Sequence, residues 1–230
     1  MQIEDRLCGS QGCQRAGRLI MPFVCMNSSA AAAMPTADSG ACDACHACLL
    51  LSDDNGKSWQ FGGIGQSGSR ESQAVQVPSS GADASLYVTE RNFGATPGHR
   101  MVARSTDSGS SLGDFGIDGS IVSPVTPHWT GIVAAVQRRT YPQGGSAGEV
   151  VLATASAVTQ RANLTMRAST DGGKTWGKPK TFWPGLGGYV DVVRVGDGAL
   201  GVIFENGEKT FADRISYSLF PATWFAASSL

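Results

Sequence analysis

One short phrase recurs three times in this chain, each time directly after an apolar run. It reads Ser52-Asp-Asp54-Asn-Gly56-Lys-Ser-Trp59, then Ser105-Thr-Asp107-Ser-Gly109-Ser-Ser-Leu112, then Ser169-Thr-Asp171-Gly-Gly173-Lys-Thr-Trp176. The shared pattern is S-x-D-x-G-x-x-W, with the aromatic replaced by Leu in the second copy. Each element has a local job. Ser and Asp side chains bond backbone N–H groups of their own turn, and Gly supplies a positive φ. The closing Trp or Leu folds back and buries apolar area. Three copies in fixed phase with a strand-like run describe a repeat protein.

The rest of the sequence supports β-structure. Runs of five to eight apolar or alternating residues are bounded by Gly, Pro, Asn or Asp. They include Arg18–Cys25, Ala47–Ser52, Ser72–Pro78, Ser85–Glu90, Met101–Ser105, Gly131–Gln137, Val150–Ala155, Leu164–Ser169, Tyr189–Val195 and Ala199–Glu205. They are rich in Val, Leu and Ile and read as strands. No window carries a sustained 3.6-residue period, so little helix is expected. The repeats fall at Asp54, Asp107 and Asp171, and each interval has room for about four strands, one blade of a β-propeller. The expected fold is an all-β propeller with about four blades in residues 1–230, and with a loop inserted over residues 27–44. Asn27 heads a glycosylation sequon in that loop. Asn163 heads a second, expected to be unmodified because a buried strand follows it.

Composition excludes several classes of partner. Lys and Arg number 18 against 19 Asp and Glu, with no basic block, so neither nucleic acid nor an anionic membrane is the expected partner. No apolar stretch reaches the roughly 18 residues of a membrane span. The start shows no basic segment followed by an apolar one, so no signal peptide is read there. All six cysteines, Cys8, Cys13, Cys25, Cys42, Cys45 and Cys48, lie near the N-terminus. Cys42-Asp-Ala-Cys45-His46 matches the spacing of c-type haem attachment, and Cys42, Cys45, Cys48 and His46 could ligate zinc. The favoured reading is a loop whose cysteines are free or disulfide-paired, with no cofactor or metal. The compartment stays open.

The recurring phrase is the Asp box, and the chain around it resembles the sialidase (neuraminidase) family, whose propellers carry such BNR repeats. Gly17-Arg-Leu-Ile-Met-Pro22 resembles a G-R-L-x-x-P strand of that family. Glu71-Ser-Gln73 resembles its N-E-S-Q segment, with Arg70 in place of the usual Asn. Thr89-Glu-Arg91-Asn92, Arg161-Ala-Asn-Leu-Thr-Met-Arg167 and Pro184-Gly-Leu-Gly-Gly-Tyr189 match further segments in order. The resemblance implies a six-bladed propeller of which the chain covers the C-terminal two thirds.

It also implies roles. Tyr189 is the implied nucleophile and Glu71 its general base. Arg91 and Arg161 are two of three arginines that clamp the substrate carboxylate, and Glu205 orients the remaining one. The residue types suit the chemistry. Sialic acid carries a carboxylate on its anomeric carbon, which repels an anionic nucleophile and favours a neutral tyrosine deprotonated as it attacks. Guanidinium forks hold a carboxylate bidentately. The implied activity is retaining exo-α-sialidase hydrolysis of sialylated glycoproteins, gangliosides and oligosaccharides, in a lysosomal or extracellular setting. The box aspartates are expected to be structural, and Arg104 and Arg167 to be blade-surface residues. Neither the family's R-I-P arginine nor its acid/base aspartate has a counterpart here, since Arg6, Arg15 and Arg18 lack the context. Impaired turnover by the isolated chain is therefore expected. The competing reading is a non-catalytic BNR-repeat propeller that binds glycans or proteins.

Overall fold

The structure is a computed structural model that describes residues 17–26, 44–78, 85–94, 98–126, 130–141 and 148–226. The insertion expected at 27–44, the Asn27 sequon, and Cys8, Cys13 and Cys42 fall outside these residues, apart from Ala44. Among the described residues there are thirteen strands and one short helix. They are β1 (Leu19–Met26), β2 (Cys45–Ser52), β3 (Gln60–Ile64), β4 (Ser69–Val77), β5 (Ser85–Asn92), β6 (His99–Ser105) and β7 (Gly113–Val122). After these come β8 (Ala135–Thr140), β9 (Glu149–Ala155), β10 (Ala162–Ser169), β11 (Lys180–Val195), β12 (Ala199–Gly207), β13 (Arg214–Phe220) and α1 (Thr223–Ala226).

The strands form antiparallel sheets in chain order: β1-β2-β3, β4-β5-β6-β7, and a six-stranded sheet running from β8 to β13. The last is two blades joined by one long strand. The first part of β11 pairs with β10 (Lys180 opposite Met166), and its second part pairs with β12 (Val195 opposite Ala199). Pro184 and Gly185 lie at the changeover, where a residue that cannot donate to a ladder is tolerated. The strand therefore begins nine residues before the expected Tyr189–Val195 run. β3, β7 and β13 were not among the expected runs. Their burial is sparse: Phe61, Phe115, Ile117, Ile215, Tyr217 and Leu219 are all exposed.

The sheets stack face against face, and the core lies in the seams. Leu49 and Leu51 of β2 pack with Ala74, Leu86, Val88 and Ala103 of the next blade. Val75, Val77 and Tyr87 pack in turn with Val136, Val150 and Leu152. A third seam joins Val151, Ala153, Leu164 and Met166 to Val190, Val192, Val202 and Phe204. Central strands such as β9, with almost every residue buried, are covered on both faces, which accounts for their continuous apolar sequence.

Each box links the last two strands of a blade. In all three, the Ser hydroxyl accepts from the Gly N–H at 2.8 Å and donates to the Asp carboxylate. The same carboxylate accepts the backbone N–H four residues on at 2.9 Å, and the hydroxyl of that residue. The Ser58 hydroxyl and then its amide hold Asp54 down at about pKa 2. At Asp171 partial burial opposes ionisation, and the Thr175 hydroxyl and amide override it, again to about 2. These carboxylates are occupied within the turn.

The closing residues and glycines also dock one blade on another. Trp176 lies edge-on to Tyr87 of the preceding blade, ring centroids 5.6 Å apart. Arg104, expected at the blade surface, instead donates to the Gly172 and Gly173 carbonyls of the third box at 2.9 and 2.8 Å. Arg18 does the same to Ser108 of the second box, at 3.1 Å. An arginine from one blade thus caps carbonyls of the next blade's turn.

A disulfide joins Cys25 and Cys48 across β1 and β2, and Cys45 is also disulfide-bonded. Cys45 and Cys48 are therefore unavailable as thiolate ligands, which removes the zinc and haem readings of the cysteine cluster. His46 sits with Nδ1 3.0 Å from the Gly65 carbonyl.

Candidate active site

The innermost strands of successive blades are β4, β8 and β11. Gln73 stitches them together: its carbonyl accepts from Val136 N–H at 3.1 Å, and its amide donates to Asp191 at 3.1 Å. Two residues earlier on both β4 and β11 stand Glu71 and Tyr189. A strand repeat of two puts them on the same side as that stitch.

At Glu71 the ladder is irregular. Ser69 pairs with Asn92 and Ser72 with Glu90, so Arg70 and Glu71 together face the single residue Arg91. This is a β-bulge, a device that re-aims side chains beside sites. Arg91 Nη1 donates to Glu71 Oε1 at 2.9 Å and to the Tyr189 hydroxyl at 3.1 Å, while Nε holds the Thr130 carbonyl at 3.0 Å. The Tyr189 hydroxyl donates to the same Glu71 oxygen at 3.5 Å. Residues 118 positions apart in sequence thus meet. The Arg91 side chain is buried. Burial lowers its pKa, the Glu71 and Tyr189 charges oppose that, and the Arg161 and Arg70 charges add to it. Glu71 Oε2 and Arg91 Nη2 are buried without a hydrogen-bond partner among the described residues. Such groups mark a place for a ligand or water.

Arg161 enters from the blade of β10. Its guanidinium lies 5.2 Å from the Tyr189 ring centroid and 4.7 Å from that of Phe211. Its carbonyl accepts the Gly187 N–H at 3.0 Å, tying the approach to β10 against β11. Next along, Asn163 adopts φ +56° at a register break, one of the few left-handed non-glycine residues. Glu205 accepts the Tyr189 backbone N–H at 2.9 Å. Pairing between β11 and β12 is broken between Gly187 and Val190, so this N–H lacks a ladder partner and the carboxylate replaces one. A side chain at position 188 would press on both the Glu205 carboxylate and the Phe211 ring, so a larger residue there must displace the group that holds the Tyr189 N–H. Where the resemblance implied that Glu205 orients an arginine, the contact in the structure is to the Tyr189 backbone.

Glu71, Arg91, Arg161, Tyr189 and Glu205 are therefore brought together. The sequence reading gave no role to Gln73, Phe93, Phe211 or Gly188. Gln73 and Gly188 had a signal, their places in the Glu71-Ser-Gln73 and Pro184-Gly-Leu-Gly-Gly-Tyr189 phrases. Among the described residues no cluster of three His, Cys, Asp or Glu side chains could hold a metal ion.

The family described as a BNR repeat-like domain matches residues 12–202. The chain belongs to that family. A sialidase of Micromonospora viridifaciens is 30% identical over 210 residues, covering 91% of this chain and 28% of that protein. The leech intramolecular trans-sialidase, solved with 2,7-anhydro-Neu5Ac, superposes with a TM-score of 0.66 at 19% identity, over 100% of this chain and 32% of its own. A Hadza microbial sialidase superposes at 0.64 and 19% identity, covering 90% of this chain and 35% of that one. The fold is thus a sialidase-type β-propeller, present as an incomplete ring. The chain spans under a third of the curated relative's length.

Proposed function

We propose that the pocket around Tyr189 is an exo-α-sialidase site that hydrolyses terminal sialic acid glycosides with retention. The observation that carries this reading is the triangle of Glu71 Oε1, Arg91 Nη1 and the Tyr189 hydroxyl, with distances of 2.9, 3.1 and 3.5 Å. A hydroxyl that donates to a carboxylate while accepting from a guanidinium is set up to lose its proton. Its developing phenolate is stabilised by the arginine, and the proton goes to Glu71. The phenolate oxygen then bonds to the anomeric carbon as the glycosidic C–O bond breaks and its electron pair leaves with the aglycone. Water later attacks that carbon and the bond to Tyr189 breaks. Glu71 returns its proton to the phenolate, the proton released from water neutralises the departed aglycone through solvent, and the first configuration is restored.

Arg91 and Arg161 suit the carboxylate on the same carbon. Arg91 Nη2 is buried and unsatisfied within the described protein, as a group awaiting a ligand oxygen would be. Glu205 has a supporting part, because its bond to the Tyr189 N–H fixes the stretch of β11 carrying the nucleophile. The substrates are sialylated glycoproteins, gangliosides and oligosaccharides.

The experiment is turnover of an aryl sialoside by a form of the protein that also carries the family's acid/base aspartate and third arginine, and by its Tyr189→Phe variant, which removes one hydroxyl and leaves the fold intact. Turnover should fall by orders of magnitude. A near-native rate in the variant would overturn the nucleophile assignment.

A further inference from the structure

Arg70 has no part in the reaction described above, yet it adjoins Glu71 in the bulge and shares the Phe93 ring with Arg91. In a regular strand it would point away from Glu71. The bulge places Arg70 and Glu71 jointly opposite Arg91, so that alternation does not hold here. The Arg70 guanidinium lies 4.6 Å from the ring centroid of buried Phe93, and that ring also carries the Arg91 guanidinium at 4.4 Å. Two cations sharing one fixed ring are positioned relative to each other, since stacking on an aromatic face orients a guanidinium plane. Arg70 makes no ion pair among the described residues, because the neighbouring Glu71 is engaged by Arg91. Its Nε is buried without a hydrogen-bond partner there.

Charge makes this arrangement costly without a ligand. The charges of Arg70 and Arg161 both disfavour the protonated form of Arg91. Arg70 and Arg91 share the Phe93 ring and Arg161 lies over Tyr189, while the nearby carboxylates, Glu71 and Glu205, already accept from Arg91 and from the Tyr189 backbone. An anion between the guanidiniums relieves their repulsion and satisfies the buried donors Arg70 Nε and Arg91 Nη2.

We propose that Arg70 contacts the carboxylate of the bound sugar, acting as a third guanidinium beside Arg91 and Arg161. It thereby sets the preference of this pocket for an acidic over a neutral sugar. This rests on the reading of the pocket as a sialic acid site.

The test is titration calorimetry of the native chain, Arg70→Ala and Arg70→Lys with 2-deoxy-2,3-dehydro-N-acetylneuraminic acid and with its methyl ester, after thermal melts establish that all three proteins are folded. Arg70→Ala should weaken the acid about tenfold or more and leave the ester within about twofold, and Arg70→Lys should recover part of the loss. Equal weakening of acid and ester would mean that Arg70 only shapes the pocket, and would overturn the proposal. Unchanged binding of the acid would overturn it as well, while leaving the sialidase reading intact. Failure of the native chain to bind the acid would overturn both.

Discussion

The same substitution, Gly→Ala, can be made at the equivalent position of each repeat, and the structure orders its cost. Gly56, Gly109 and Gly173 all have positive φ, +85°, +85° and +75°. Each alanine therefore bears a left-handed penalty of about 1–2 kcal/mol, offset in part by about 0.4–1 kcal/mol from a stiffer unfolded chain. What differs is the space. A Cβ at Gly56 would meet Leu19 and Trp59 at 3.6 and 3.7 Å, ordinary contact. At Gly109 it would touch Leu51 and Leu86 at 3.2 Å and Leu49 at 3.4 Å, all core side chains of the seam. At Gly173 it would press into the ring of Tyr87 at 2.8–3.0 Å. That ring is fully buried and cannot yield without moving the seam. Overpacking costs typically 1–3 kcal/mol. The expected losses are about 1 kcal/mol for Gly56→Ala, about 2 for Gly109→Ala and about 3 or more for Gly173→Ala. Urea denaturation measures them as midpoint shifts at constant slope. Equal losses, or the largest at Gly56, would refute the account of the boxes as blade-docking elements.

Two further outcomes concern stability against pH. Glu90 is fully buried, and desolvation raises its pKa from 4.5 to about 7, opposed by the Gln66 amide and the Arg100 charge. Between those values the folded chain holds a proton that the unfolded chain has lost. Stability therefore falls as pH rises from 4.5 to 7, by on the order of 3 kcal/mol, and Glu90→Gln should flatten that slope in urea melts across pH. The box aspartates have the opposite sign. With Asp54 and Asp171 held near 2 in the fold against 3.8 when free, their contribution is present above pH 3.8 and lost as pH falls through about 2. Asp171→Asn should make acid unfolding in that range shallower.

Much of this was legible in the chain because repeats carry their own phase. Ser, Asp and Gly at fixed spacing specify a turn by bonds inside the turn, so each box could be read locally. Tyr189, Glu71, Arg91 and Arg161 were legible only through their order along a resembling sequence, since nothing near Tyr189 in the chain marks it. The outer strands were not legible. β7 reads Gly-Asp-Phe-Gly-Ile-Asp-Gly-Ser-Ile-Val, and only Ile121 of it is buried, so packing writes almost no pattern there. The crossing strand β11 was hidden by Pro184 and Gly185, which normally end strands and here mark the passage between blades. The contacts of Arg104 and Glu205 depend on backbone groups left unpaired by register breaks and turns. Those gaps exist only once the blades are stacked.

The central claim is that Tyr189 is the nucleophile, and labelling with a 2,3-difluorinated sialic acid tests it most directly. Fluoride leaves without a proton from the protein, so the test depends on Tyr189, Glu71 and the arginines and needs no acid. The C3 fluorine slows breakdown of the intermediate, which lets the adduct accumulate. Mass spectrometry of the treated chain should find one added sugar, mapped to the peptide containing Tyr189, absent from Tyr189→Phe and much slower to form in Glu71→Gln. An unlabelled native chain, or a label on any other residue, would contradict the account.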